Sequence, residues 1–150
     1  MRWIILAFAI AACTSHPTPT GAACPDPDPG SPSWADFGEA FMTKYCTMCH
    51  DSHLTRSQRN GAPIYHDFDT LTGVKIVVDH IDEYAGSGPH ADNHFMPGAR
   101  CPSTPGGPLD TNCTQPTEDE RKTLAIWMAC EKQRGLPPAD AGVDATVDAQ

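Results

Sequence analysis

Three stretches of the chain repeat their apolar residues with a helical period. Phe37, Phe41 and Tyr45 recur every four positions, on one face of a helix, and Ser33 with Asp36 three residues later forms a capping box at its start. This helix runs into Cys46. Val74, Val77, Val78, Ile81 and Ala85 follow the i, i+3, i+4, i+7 template and predict an amphipathic helix over residues 73–85, stopped by Gly86, Gly88 and Pro89. Its valines have low helix propensity, so burial must supply its stability. In the third stretch Pro116 precedes a Thr117/Glu120 capping box, acids fill the first turn, and Leu124, Trp127, Met128 and Cys130 follow. Few residues alternate as a strand would, and there is no internal repeat. The pattern predicts an all-α fold of three helices with long loops, because 15 prolines and 12 glycines leave much of the 150-residue chain outside regular structure.

The ends read differently from the middle. After Arg2, an apolar run from Trp3 to Ala12 has the length of a signal-peptide core and is too short to span a bilayer. Ile10-Ala11-Ala12-Cys13 resembles the lipobox of bacterial lipoproteins, which implies that residues 1–12 are removed and that Cys13 carries lipid. Six prolines between Thr14 and Ser33 then make residues 13–33 an extended, solvated linker between membrane and domain. Residues 135–150, with Asp140, Asp144 and Asp148 among small residues, read as a disordered acidic tail. One domain, residues 34–134, remains. Loss of residues 1–12 takes away Arg2 and no acid, leaving nine basic against 19 acidic residues, formally −10. That balance disfavours nucleic acid and suits steering toward protein partners with basic docking surfaces.

The residues with the most specific chemistry are Cys46-Thr47-Met48-Cys49-His50, the C-x-x-C-H run of c-type haem attachment. Two sulfurs three residues apart can reach two vinyl groups on one porphyrin edge, and the next residue then lies under the iron. Cys46 and Cys49 are read as thioether donors and His50 as an iron ligand. A thioredoxin-type dithiol would be expected in a βαβ setting, which is missing from the pattern. A zinc site needs four converging ligands, and the chain has no second paired motif.

With these residues in place the chain resembles the class I cytochromes c over residues 34–134. The resemblance implies a three-helix domain around one covalent haem c, and it assigns further roles. Gly38, eight residues before Cys46, is where the first helix would touch the last, and Met42 is the apolar residue four before that cysteine. Pro63 is the proline whose carbonyl would accept the imidazole N–H of His50. Met96, in Phe95-Met96-Pro97, is the sixth ligand, a soft thioether that would favour ferrous iron. Its rivals are His94 and, more weakly, His80 and His90. Trp127 corresponds to the family's aromatic between the terminal helices and the haem edge. Tyr65, Arg56 and Arg59 could bond propionates, though nothing in their spacing assigns them.

Apart from Cys13, Cys46 and Cys49, the chain has Cys24, Cys101, Cys113 and Cys130, for which three pairings exist. The expected pairing is Cys101 with Cys113, closing the loop after Met96, and Cys24 with Cys130. The shorter bridge would contribute at most about 3 kcal/mol. The resulting expectation is an exported, lipid-anchored carrier of electrons between redox proteins. The alternatives are a haem enzyme or gas or peroxide sensor with a displaceable sixth ligand, and a zinc- or disulfide-stabilised interaction module.

Overall fold

The computed structural model describes residues 16–135. The expected signal peptide, the lipidation site Cys13 and the acidic tail beyond Gly135 lie outside the described residues. Among those described, no helix is long and apolar enough to cross a membrane.

The fold is mostly helical with one small sheet. A π-helical turn, Trp34–Gly38, leads into α1 (Glu39–Tyr45). The Ser33 N–H donates to the Asp36 carboxylate at 2.6 Å, so the capping box read from the sequence is formed. Phe41, Met42 and Tyr45 are buried. At Gly38 the indole of Trp127 comes so close that a Cβ would lie 2.4 Å from its Cη2. Only a residue without a side chain permits that approach. Trp34 and Phe37 also face this indole, with ring centroids 6.1 and 5.9 Å away.

The helix expected over residues 73–85 is instead two. α2 (Leu71–Ile76) begins earlier because the Thr70 hydroxyl accepts the Gly73 N–H at 3.1 Å. α3 (Val78–Ala85) follows after a break at Val77, where φ is −130° and ψ is 30°. Adjacent β-branched residues at 77 and 78 lower the helix propensity there, and Val74, Ile81 and Ala85 all stay buried across the break. Gly73 is required by the crossing loop, since a Cβ there would lie 1.7 Å from the Asp67 carbonyl oxygen.

Two two-residue strands, β1 (Cys101–Pro102) and β2 (Leu109–Asp110), pair antiparallel. They are too short to leave a period in the sequence, and the Cys101–Cys113 disulfide holds their base. α4 (Glu118–Arg134) starts on the Thr117 cap and buries Leu124, Trp127 and Met128. It also buries Arg121 and Glu131, two charges on a face otherwise apolar.

The proline-rich linker is not wholly solvated. Thr20 is fully buried, with its N–H and hydroxyl donating to the Asp82 carboxylate at 2.9 and 2.6 Å. Asn93 donates to the Thr18 carbonyl at 2.7 Å, and Cys24 is bonded to Cys130. Arg134 pairs with Asp28 at 2.7 Å. Prolines prevent helix and sheet but leave carbonyls free, and here loop and helix side chains bond the backbone around Thr18 and Thr20.

Candidate site around Cys46, Cys49 and His50

The end of α1 becomes a tight turn in which the Cys49 and His50 N–H groups both donate to the Cys46 carbonyl, at 3.1 and 2.9 Å. The turn places all three motif side chains within one revolution of chain. Both expected disulfides, Cys24–Cys130 and Cys101–Cys113, are present, while Cys46 and Cys49 remain free thiols. Burial pushes the Cys46 thiol up to about 12, and burial also raises that of Cys49. Reactive dithiols have the opposite shift, so this pair is not tuned as a thiolate nucleophile.

His50 is fixed from several sides. Its carbonyl accepts the Phe68 N–H at 2.7 Å, and its ring stacks on Phe68 with centroids 4.4 Å apart and planes 12° from parallel. Nδ1 lies 3.1 Å from the His66 carbonyl oxygen. A carbonyl can only accept, so Nδ1 holds the proton and the lone pair is on Nε2. No described residue hydrogen-bonds Nε2. Burial lowers the His50 pKa to about 4, which keeps the imidazole neutral and able to act as a ligand at neutral pH.

The imidazole acceptor is a correction to the sequence reading. Pro63 was expected to accept the Nδ1–H, but its carbonyl instead accepts Arg59 Nη2 at 2.8 Å. The chain turns over Pro63-Ile64-Tyr65-His66, with Tyr65 at φ +75°, so the carbonyl presented to His50 belongs three residues further on. The residue organising this loop is Arg59, only 3% exposed. Its Nη1 donates to the Asp51 carbonyl and to Asp67 Oδ1, both at 2.8 Å, and its Nη2 reaches the Pro63 and His66 carbonyls at 2.8 and 2.9 Å. An arginine in a polar loop gives no sequence signal that its guanidinium will be enclosed by carbonyls.

Met96 is held by its backbone. Its N–H donates to the Tyr84 carbonyl at 2.9 Å and its carbonyl accepts Arg121 Nη1 at 2.9 Å, while the residue is 47% exposed. Arg121 Nη1 also donates to the Ala85 and Asn93 carbonyls, and its positive charge partly offsets the effect of burial on the Cys46 thiol. A row of rings makes a connection between the motif and the Met96 loop, from His50 through His66, His80 and Tyr84 to Phe95, with successive centroids 6.1, 5.6, 6.5 and 5.9 Å apart. Of the rival histidines, His80 stands in this row. His94 lies 3.6 Å from Glu118, and the His90 ring packs on Gly21.

The ligand atoms of Cys46, Cys49 and His50 do not converge as a set. Among the described residues the sets that do are Asp51, His53 and Asp69, and Cys24, Asp28 and the Cys130 bonded to that cysteine. A four-coordinate ion needs convergent donors. The motif suits instead a group that takes two sulfurs and one nitrogen at separate points.

No known family's model matches the chain, and neither a curated protein nor a solved structure matches it.

Proposed function

We propose that the chain is a one-electron carrier of the c-type cytochrome kind, with one haem c bonded through Cys46 and Cys49 and ligated by His50 and Met96. The observation that carries this reading is the contrast among the cysteines. Among the described residues four are paired, and the two left as thiols stand beside an imidazole whose Nε2 lone pair no described residue claims. Each thiol would add its S–H across a vinyl C=C bond, a step that needs no oxidant. The close approach of Gly38 to Trp127 further supports a cytochrome c-like arrangement of the first and last helices.

When bound, the haem would supply reversible one-electron exchange between ferrous and ferric iron. The chain's part is to hold the ligands. His50 is kept neutral, with its proton on Nδ1, and Phe68 fixes the plane of its ring. The backbone bonds of Met96 limit where its thioether can go. Export and a lipid anchor on Cys13 complete the proposal, with basic redox proteins as partners of the acidic chain.

The test is the absorption spectrum of protein exported with haem-attachment machinery, for wild type and Met96→Ala. The expected result is a c-type reduced spectrum in both, with the near-infrared band of methionine-ligated ferric haem only in wild type. Absence of haem from wild type would end the reading. The exposure of Met96 favours a second reading, a sensor or enzyme whose sixth ligand is displaced. Carbon monoxide binding by the reduced wild-type protein at neutral pH would select it.

A further inference from the structure

We infer that Arg59 tunes the redox centre by weakening the hydrogen bond that His50 makes to its backbone acceptor. The inference rests on the haem reading above and concerns how strongly His50 donates to the iron. The His66 carbonyl oxygen accepts from two groups, Arg59 Nη2 at 2.9 Å and His50 Nδ1 at 3.1 Å. A hydrogen bond from a ligand histidine's second nitrogen makes the ligand more basic, and its strength depends on the electron density left on the acceptor. A guanidinium is a permanent cation and makes the stronger, charge-assisted bond of the two. It draws density from the shared oxygen, so the imidazole donates less to the iron and the ferrous state is favoured.

The surroundings keep this effect in place. Arg59 is buried, and among the described residues Asp67 is its sole carboxylate partner, at 2.8 Å with a side chain 28% exposed. The positive end of the pair therefore lies inside, against the His66 carbonyl, and the negative end lies toward solvent. Asp67 is thus the counterweight. Neutralising it leaves Arg59 to act more fully on the carbonyls, whereas removing Arg59 frees the His66 oxygen for His50 alone.

The experiment compares the haem-loaded wild type with Arg59→Met and Asp67→Asn. It reads the midpoint potential and the proton resonance of His50 Nδ1 in the reduced, diamagnetic protein. Arg59→Met is expected to lower the potential and move the Nδ1 proton downfield, as its hydrogen bond strengthens. Asp67→Asn should do the reverse on both readouts. A purely structural role for Arg59 would change stability in both variants without opposite shifts of the two readouts. If Arg59→Met fails to fold, Asp67→Asn alone decides, because it alters the half-buried, more accessible end of the pair. Unchanged potential and unchanged Nδ1 resonance in that variant would overturn the inference. Wild type without haem would be a failure of the functional reading instead. The Nδ1 resonance of the haem-free chain would then still report whether Asp67→Asn moves it upfield, and no movement would again overturn the role of Arg59.

Discussion

The His50 side and the Met96 side of the candidate site are each organised by a buried arginine, and they are organised differently. Arg59 uses both terminal nitrogens on three carbonyls and a carboxylate, and one of those carbonyls also accepts from the His50 ring. Arg121, 2% exposed, places one nitrogen on three carbonyls and has no carboxylate of the described residues within ion-pair distance. On the first side the His50 side chain is itself bonded and stacked. On the second only the backbone of Met96 is fixed. The difference teaches that the two proposed ligand positions are specified at different levels, one by side-chain contacts and the other by where the loop is pinned. A fixed His50 and a more adjustable Met96 follow.

The strongest way to break this contrast is to remove the pin. Arg121→Met takes away a buried cation and leaves the Ala85, Asn93 and Met96 carbonyls without their donor. The expected cost is about 3–5 kcal/mol in urea unfolding, since each buried group left unsatisfied costs about 1–3 kcal/mol and some regain water. If the variant lost less than about 1 kcal/mol, the Met96 loop would be held by the disulfide and the Gln115–Gly98 bond instead. The His50 side should be untouched, with the Phe68 N–H still protected from exchange.

How far the sequence foretold these two sides differs in the same way. The Thr117 and Ser33 capping boxes were legible because they depend on local spacing and residue type, the contact of Gly38 with the last helix only through the cytochrome c resemblance, and the two disulfides from an even count of cysteines and the lengths of chain between them. The carbonyl beneath His50 was not. Its identity depends on a turn with a non-glycine residue at positive φ, and Tyr65 is an unexpected residue there. Arg59 and Arg121 were equally hidden, since charged residues are read as solvated unless structure encloses them. The packing of Thr20 was missed for a related reason: a proline-rich composition reports what a segment cannot form, and says nothing of side chains elsewhere that bond it.

The two sides meet at the start of α4, and pH separates them there. The Tyr45 hydroxyl lies 2.8 Å from the Glu120 carboxylate, tying the end of α1 to the residue next to Arg121. Burial opposes the charge on Glu120, but bonds from the Thr117 N–H, Tyr45, the Thr117 hydroxyl and Lys44 outweigh it and hold the carboxyl down to about 2 from an ordinary 4.5. A depressed carboxyl stabilises the fold fully above its unfolded value and loses that contribution as pH falls through its folded value. Wild type should therefore lose on the order of 1–2 kcal/mol more than Glu120→Gln between about pH 5 and pH 2, a figure reduced for partial exposure. Urea unfolding across that range checks it. Parallel curves for the two proteins would mean that the tie between α1 and α4 does not depend on the charge.

The smallest expected effect sharpens the His50 side. Tyr65 is 77% exposed and holds φ at +75°, a conformation that costs a residue with a Cβ about 1–2 kcal/mol. Arg59 bonds the carbonyls at both ends of its turn, Pro63 and His66, so the loop keeps the strained residue in place. Glycine at position 65 would remove the strain but add about 0.5–1 kcal/mol of freedom to the unfolded chain. Tyr65→Gly should thus fall between no change and a gain of about 1 kcal/mol, and His50 Nδ1 should keep its resonance, because the carbonyl it shares with Arg59 stays where it is. A loss of more than about 1 kcal/mol would mean that the tyrosine ring itself holds the turn. In that case Arg59 would be answering to a loop already shaped by Tyr65, and the order of cause on this side would be reversed.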